Sequence, residues 1–311
     1  IPLSLRCQHE DNRSAMSRFW QLALFIAALA TSPAAATERF VVFGDLQDSS
    51  PEGRERDAAL IAQINDVTPA FSVFIGDIKG ANTPCTDELY AAMREVFDRH
   101  TSPLIYTPGD NEWTDCWREP AGSFDPAERK QAVVSAFTAP GKSIGQQTLK
   151  LEQQDQQREN ARWRWNDVVF ATLNMPGSNN NLQQREDAIV EHQMRDALNE
   201  KWLDETMAAA SDAAGLFLFI HANPKWDAVW WEPTGFDRFR DQLAKVAAAF
   251  DGQIVVAHGD THIFKIDKPF AAAPQVTRVE VFGTPQRGAV IVDVDPGSSE
   301  VFRFSLLLLD R

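Results

Sequence analysis

Short runs of apolar residues, most of them β-branched or aromatic, recur along this chain, and several end in a turn carrying Gly, Asp or His. On that pattern residues 39–44, 71–75 and 104–107 read as strands bounded by turn chemistry. Between them, 54–66 sets Ala58, Ile61, Ala62 and Ile64 on a partial apolar face, and 87–100 sets Leu89, Met93, Val96 and Phe97 at helical spacing. This β-α-β-α-β alternation predicts parallel strands joined by right-handed crossovers. The rhythm returns with a strand at 168–174 and a helix at 185–210, striped by Ile189, Met194, Leu198, Trp202 and Met207. A strand at 215–220, a helix at 236–250 and a strand at 254–257 follow, and the chain closes on strands at 276–282, 289–294 and 301–309. Alternation that gives way to successive strands predicts a two-sheet α/β sandwich.

Residues 111–165 break the rhythm. They hold Trp113, Trp117, a helix at 126–137 and a Gln-rich run at 146–157 that reads as a solvated helix or loop. The segment is expected to be an insertion over the ends of the strands. Within 37–311 there is no internal repeat and no clear linker, so a single α/β domain is expected there.

Five strand ends share one chemistry: FGDLQD from Phe43, FIGD from Phe74, TPGDNE from Thr107, FIHANP from Phe219 and HGDTH from His258. Carboxylates and imidazoles at the C-terminal ends of buried strands fall where α/β sheets gather ligands. Asp45, Asp77 and Asp110 are spaced 32 and 33 residues apart, one per β-α unit. Oxygen ligands with a few imidazoles suit Mg, Mn, Fe or Zn ions better than soft-ligand metals. A carboxylate shared between two such ions makes a clamp that activates water and neutralises a phosphoryl group.

Charge and cysteines narrow the reading further. The 30 Lys and Arg against 44 Asp and Glu give a net charge of −14, which disfavours nucleic acid and anionic membranes as partners. Met16 and Arg18 precede an apolar stretch at 22–30 and the small residues Ala34, Ala35 and Ala36, the pattern of a signal peptide at 16–36. That stretch is too short to span a bilayer, so no membrane span is expected after cleavage, and the mature protein is expected to be exported, periplasmic or secreted. Residues 1–15 read as upstream of the true start. In an oxidising compartment Cys85 and Cys116 would tie two of the ligand loops together as a disulfide; two free buried thiols are the alternative.

Taken in order, the motifs Asp-x-Gln, Gly-Asp, Gly-Asp-Asn-Glu, a lone His and Gly-Asp-x-His resemble those of the calcineurin-like metallophosphoesterases over about residues 39–265. The resemblance implies a four-layer α/β/β/α sandwich, two divalent metal ions, and phosphoester hydrolysis by a metal-bound hydroxide acting on a small-molecule phosphoester. Residue by residue it implies Asp45, Gln47, Asp77 and His262 around one ion, and Asp77, Asp110, His221 and Asp260 around the other. Asp77 would be the shared carboxylate. The chain departs from the family pattern in four places. Gln47 stands for a His, Asp110 for an Asn, Asn111 for the His that assists the leaving group, and Asp260 for a His. With two imidazoles fewer among the ligands and two carboxylates more, the set favours Mn or Mg over Zn. The Gln47 side is expected to be the weaker one.

Asn111 and His258 are the expected catalytic side chains. His258 lies two residues before Asp260, on the same side of an extended strand, where it would serve as a substitute ligand or as an acid near the leaving group; a packed histidine at a strand end is the alternative. Glu112 is expected to orient a neighbour. Trp113, Trp226, Trp230 and Trp231 would form either an aromatic wall or core packing, and Lys79, Lys225, Arg118 and Arg287 are the cations available to hold phosphate. The departures also motivate a rival reading, an exported non-catalytic metal- or ligand-binding protein on the same fold.

Overall fold

The computed structural model describes residues 38–183, 185–228 and 231–309. Both expected N-terminal segments, 1–15 and 16–36, and Trp230 lie outside the described residues. Twelve strands form two sheets among them. The first runs β12 (Phe302–Leu308), β11 (Gly288–Val294), β1 (Glu38–Phe43), β2 (Ser72–Phe74), β3 (Leu104–Tyr106). The second runs β4 (Glu152–Gln154), β5 (Gln157–Trp165), β6 (Val168–Thr172), β7 (Gly215–Phe219), β8 (Gln253–His258), β10 (Thr277–Glu280), β9 (Lys265–Asp267). The strands that carry the candidate ligands are parallel within each sheet: β1, β2 and β3 in the first, β7 and β8 in the second, where β6 also runs parallel to β7.

The period of two along β1 explains the layering. Phe40 and Val42 face the second sheet and join Phe170, Phe217, Phe219 and Val255, while Val41 and Phe43 face the helices on the other side. Phe40 meets Phe170 and Phe217 edge-on, with centroids 5.2 and 5.0 Å apart, an arrangement aromatic rings favour. Outside the first sheet lie α1 (Pro51–Val67), α2 (Asp87–Phe97) and α3 (Pro126–Phe137), which contribute Leu60, Met93, Phe97 and Phe137 to a second core. Outside the second sheet lie α5 (Glu186–Ala209) and α6 (Asp237–Ala249), packing Trp202, Leu203 and Leu243 against Leu216, Leu218 and Val256. The result is a four-layer α/β/β/α sandwich in which the central strands β2, β6 and β7 are buried on both faces and the edge strands β9 and β12 are largely exposed. A single turn, α4 (Gly177–Asn180), interrupts the chain between β6 and α5.

Three expectations differ from the structure. Residues 111–165 do not form one excursion over the strand ends. Their first part folds into 3-10 turns at Thr114–Trp117 and Glu119–Ala121 and then α3, whereas β4 and β5 extend the edge of the second sheet. The end of the Gln-rich run is not solvated either. Gln157 and the adjacent Asn160 are buried, and both donate to Asn199 Oδ1 on α5 (3.2 and 2.8 Å). Third, the stripe expected on the 185–210 helix includes Met194, which lies on the surface. The buried face of α5 carries His192, Arg195, Asp196 and Asn199 beside Trp202 and Leu203. Hydrogen bonds from Arg195 to Asn174 O (3.0 Å) and Asn180 Oδ1 (2.6 Å) satisfy that polar face, so hydrophobic periodicity could not locate it.

Candidate metal centre

The parallel strands deliver their ligand turns to one place. Asp45 follows β1, Asp77 follows β2, Asp110 follows β3, and His221 follows β7. Asp260 and His262 follow β8. One ligand atom from each of Asp45, Asp77 and His262 lies within 4.8 Å of the others, and the same holds for Asp77, Asp110 and His221. Asp77 belongs to both triads.

Backbone conformation accounts for this convergence. Asp45, Asp77, Asp260 and His262 all sit at left-handed φ (54°, 62°, 72° and 59°), a region that L-residues enter at a cost and that clusters at functional sites. Each turns the chain sharply at a strand end. Gly76, at φ 92°, lets the β2 turn pass close to its neighbours. A Cβ there would lie 2.4 Å from Gly109 N and 2.6 Å from His221 Nδ1. Gly76→Ala is therefore expected to cost about 2–4 kcal/mol of stability, combining φ strain with overlap. A urea midpoint within error of the parent would contradict that close approach.

The histidine tautomers are set by backbone partners. His221 Nδ1 donates to Ile75 O (2.8 Å), which leaves Nε2 bare, buried and without a hydrogen bond. That atom stands 3.4 Å from Asp77 Oδ1, 3.6 Å from Asp110 Oδ1 and 3.9 Å from Asp260 Oδ1. His262 Nδ1 donates to Thr284 O (2.9 Å), and its Nε2 lies 3.7 Å from Asp45 Oδ1. An imidazole anchored through one nitrogen, with the other presented to carboxylates, is the arrangement of a metal-binding histidine. A buried nitrogen with no partner fits a cation as its missing neighbour.

Electrostatics point the same way. Burial, reinforced by neighbouring carboxylates, raises Asp45 to about 8 and Asp77 well above its ordinary range, against the pull of His221. Burial opposes protonation of His221, yet Asp77, Asp110, Asp45 and Asp260 together raise its affinity for a proton far above normal. The cluster draws positive charge into itself.

Around the triads, Gln47 Nε2 and Asn111 Nδ2 each donate to Asp77 Oδ2 at 2.6 Å, and Asn111 N donates to Oδ1 at 3.1 Å. Gln47 thus meets the cluster through its amide nitrogen; to ligate, it would have to turn its oxygen inward. Asp260 is at the rim, its backbone N–H donating to both Asp45 oxygens (3.3 Å each). Glu112 orients its neighbours: Oε1 accepts from Asp77 N (3.1 Å), Gly109 N (2.7 Å) and Tyr106 Oη (2.7 Å). A Cys85–Cys116 disulfide joins the loops after β2 and β3, and both sulfurs lie against Asn111 O (3.5 and 3.6 Å).

His258 is not brought to the cluster. Trp226 Nε1 donates to its Nε2 (3.2 Å), its Nδ1 faces Gly259 O (3.1 Å), and burial lowers its pKa to about 3. His258 and Asp260 do not share a side because Asp260, at left-handed φ, ends the extended backbone on which strand alternation depends. Trp113 and Trp226 are buried core residues, and of the four expected tryptophans Trp231 is the exposed one among the described residues.

Two supporting residues lie outside the strand-end motifs. Thr284 Oγ1 donates to Asp45 O (3.0 Å) and accepts from Gln47 N (3.0 Å). Ser178 Oγ is 3.2 Å from Asp110 Oδ2 and 3.0 Å from Asp115 Oδ1. The one available signal was the run Gly177-Ser178-Asn179-Asn180-Asn181, whose Asn residues tolerate left-handed conformation.

No protein-family model matches the chain, and no curated protein matches it in sequence. Solved structures do. A dimetal phosphatase from Danio rerio superposes with a TM-score of 0.52 at 9% identity, over 83% of this chain and 92% of that one. The fold is that of the calcineurin-like metallophosphoesterases. A purple acid phosphatase from yellow lupin (Lupinus luteus) seeds matches at 0.49 and 12% identity, over 88% of this chain and 54% of its own. GAP50, the anchor in the inner membrane complex of Plasmodium, matches at 0.49 and 11%, over 88% and 89%. At such identities the likeness is one of fold. On this metallophosphoesterase fold both triads lie where β1, β2, β3, β7 and β8 end.

Proposed function

We propose that this protein is a metal-dependent phosphoester hydrolase with two divalent ions, one held by Asp45, Asp77 and His262 and the other by Asp77, Asp110 and His221. The observation that carries this reading is Asp77, a buried carboxylate common to both triads. Asp260 and Gln47 complete the set at its rim. Bound ions would supply Lewis acidity and lower the pKa of a water molecule. The chain's own part is to hold the ligands still. Ile75 O and Thr284 O fix the two imidazoles, and Glu112 fixes the backbone of Asp77 and Gly109. The carboxylate-rich set favours Mn or Mg.

Asn111 sits beside Asp77 and can donate a hydrogen bond, but it has no proton to transfer to a leaving group. Esters with good leaving groups should therefore suffer least. The expected result is hydrolysis of p-nitrophenyl phosphate that requires added Mn and exceeds hydrolysis of alkyl phosphates by at least about a hundredfold, the scale of a lost general acid. Metal-loaded protein that releases product from neither class would favour the rival binding-protein reading. The disulfide suits an oxidising compartment and supports export.

A further inference from the structure

We propose that Arg118 is a substrate-binding residue that makes this site selective for phosphomonoesters over phosphodiesters; the inference rests on the hydrolase reading above. Arg118 Nη1 pairs with Asp115 Oδ2 (2.6 Å), and Nη2 donates to Ser178 Oγ (3.1 Å). Ser178 Oγ in turn lies 3.2 Å from Asp110 Oδ2, so one hydroxyl separates the guanidinium from a candidate metal ligand. Asp115 is buried at 2% exposure, while the Arg118 side chain is 36% exposed. The inner edge of the guanidinium is anchored and the rest is open.

The other cations that could hold phosphate are placed differently. Lys79 is fully buried and donates to Gly80 O (3.1 Å). Arg287 is buried against Asp57 (2.7 Å) and Gly53 O (3.3 Å). Lys225 is exposed, and its backbone N–H is bound to Asn223 Oδ1.

The turn that positions Ser178 is strained. Ser178, Asn179, Asn180 and Asn181 lie consecutively at φ 50°, 62°, 56° and 57°, and runs of left-handed L-residues are costly. The turn brings Ser178 Oγ between Asp110, Asp115 and Arg118, and lays Gly177 against the cluster wall. A Cβ at Gly177 would be 2.4 Å from Asp110 Oδ2 and 2.8 Å from Asp260 Oδ1. Strain of this kind clusters at functional sites.

The chemistry follows from counting oxygens. A phosphomonoester dianion has three terminal oxygens and a diester monoanion has two. Two divalent ions, if held by the triads that share Asp77, would supply charge for two of them. The third, present only in the monoester, needs a further donor in surroundings made acidic by Asp110, Asp115 and Asp260. A guanidinium anchored at two donors has others free and presents them in a fixed plane suited to phosphate. A diester carries an alkoxy or aryloxy group at that position and gains nothing from it.

The test uses manganese-loaded protein, wild type and Arg118→Met, with p-nitrophenyl phosphate, bis(p-nitrophenyl) phosphate and calorimetric titration of orthophosphate. Arg118→Met is expected to lower kcat/KM on the monoester about 10- to 100-fold, the worth of a charge-assisted hydrogen bond. The diester rate should change less than about threefold, orthophosphate should bind about tenfold more weakly, and manganese content should be unaltered. Arg118→Lys keeps the charge beside Asp115 but loses the fork, and should fall between, which covers failure of the methionine variant to fold. Equal losses on both esters would mark Arg118 as a mere tether for Asp115 and overturn the proposal, as would a wild type that prefers the diester. If manganese-loaded wild type hydrolyses neither ester, the hydrolase reading fails and calorimetry alone decides. Orthophosphate binding weakened by Arg118→Met upholds the anion site, and binding that is unaltered or absent in wild type removes it.

Discussion

Asp77→Ala is expected to abolish binding of both ions and to lower turnover by more than about a hundredfold, the scale associated with losing even a supporting group around a metal. The effect should exceed that of any other ligand because Asp77 is the carboxylate common to both triads. Its Oδ2 also accepts from Gln47 and Asn111, so its loss releases the two amides that flank the cluster. Asp45→Ala and Asp110→Ala each remove one triad and should leave one ion in place. Elemental analysis of the three purified variants separates these cases. Two ions retained by Asp77→Ala would mean that the shared-carboxylate geometry is not the binding site.

The second large effect concerns stability without metal, and its sign depends on pH. Asp45 titrates near pH 8 when folded and Asp260 near pH 6, chiefly through burial, whereas an unfolded aspartate loses its proton near pH 4. Between about pH 4 and 8 the folded metal-free protein therefore binds protons that the unfolded chain does not, and its stability falls as pH rises through that window. His221, raised by its carboxylate neighbours, adds to the loss on its own way up the pH scale. Bound cations reverse the trend by favouring the ionised carboxylates. Ions at a thousandfold excess over Kd contribute about 4 kcal/mol. Chelation at pH 8 is thus expected to lower Tm by on the order of 10 °C, and chelation at pH 5 to change it little. Melting curves with and without chelator at the two pH values decide the point, and a larger loss at pH 5 would contradict it.

Much of this was legible in the residues because strand ends impose order. The ligand positions Asp45, Asp77, Asp110 and His221 each follow an apolar run directly, and parallel strands must deliver such positions to one edge. What escaped depends on polar burial and backbone conformation. Asn160 and Gln157 look like solvated residues, yet they bond to Asn199 in the interior, so β5 and the polar face of α5 were hidden from any hydrophobic pattern. His258 lies apart from the cluster because strand alternation ends where Asp260 turns left-handed. Ser178 and Thr284 reach the cluster from 68 and 239 residues away in sequence, through contacts that only the assembled sandwich creates.

Hydrolysis and anion binding both depend on the metal centre, and calorimetric titration of chelator-treated protein with Mn at neutral pH tests it most directly. Two ions per chain are predicted. The site of Asp77, Asp110 and His221 should fill first, because its three ligands are all buried, and the Asp45–His262 side should bind more weakly. Folded protein that takes up no ion would contradict the account.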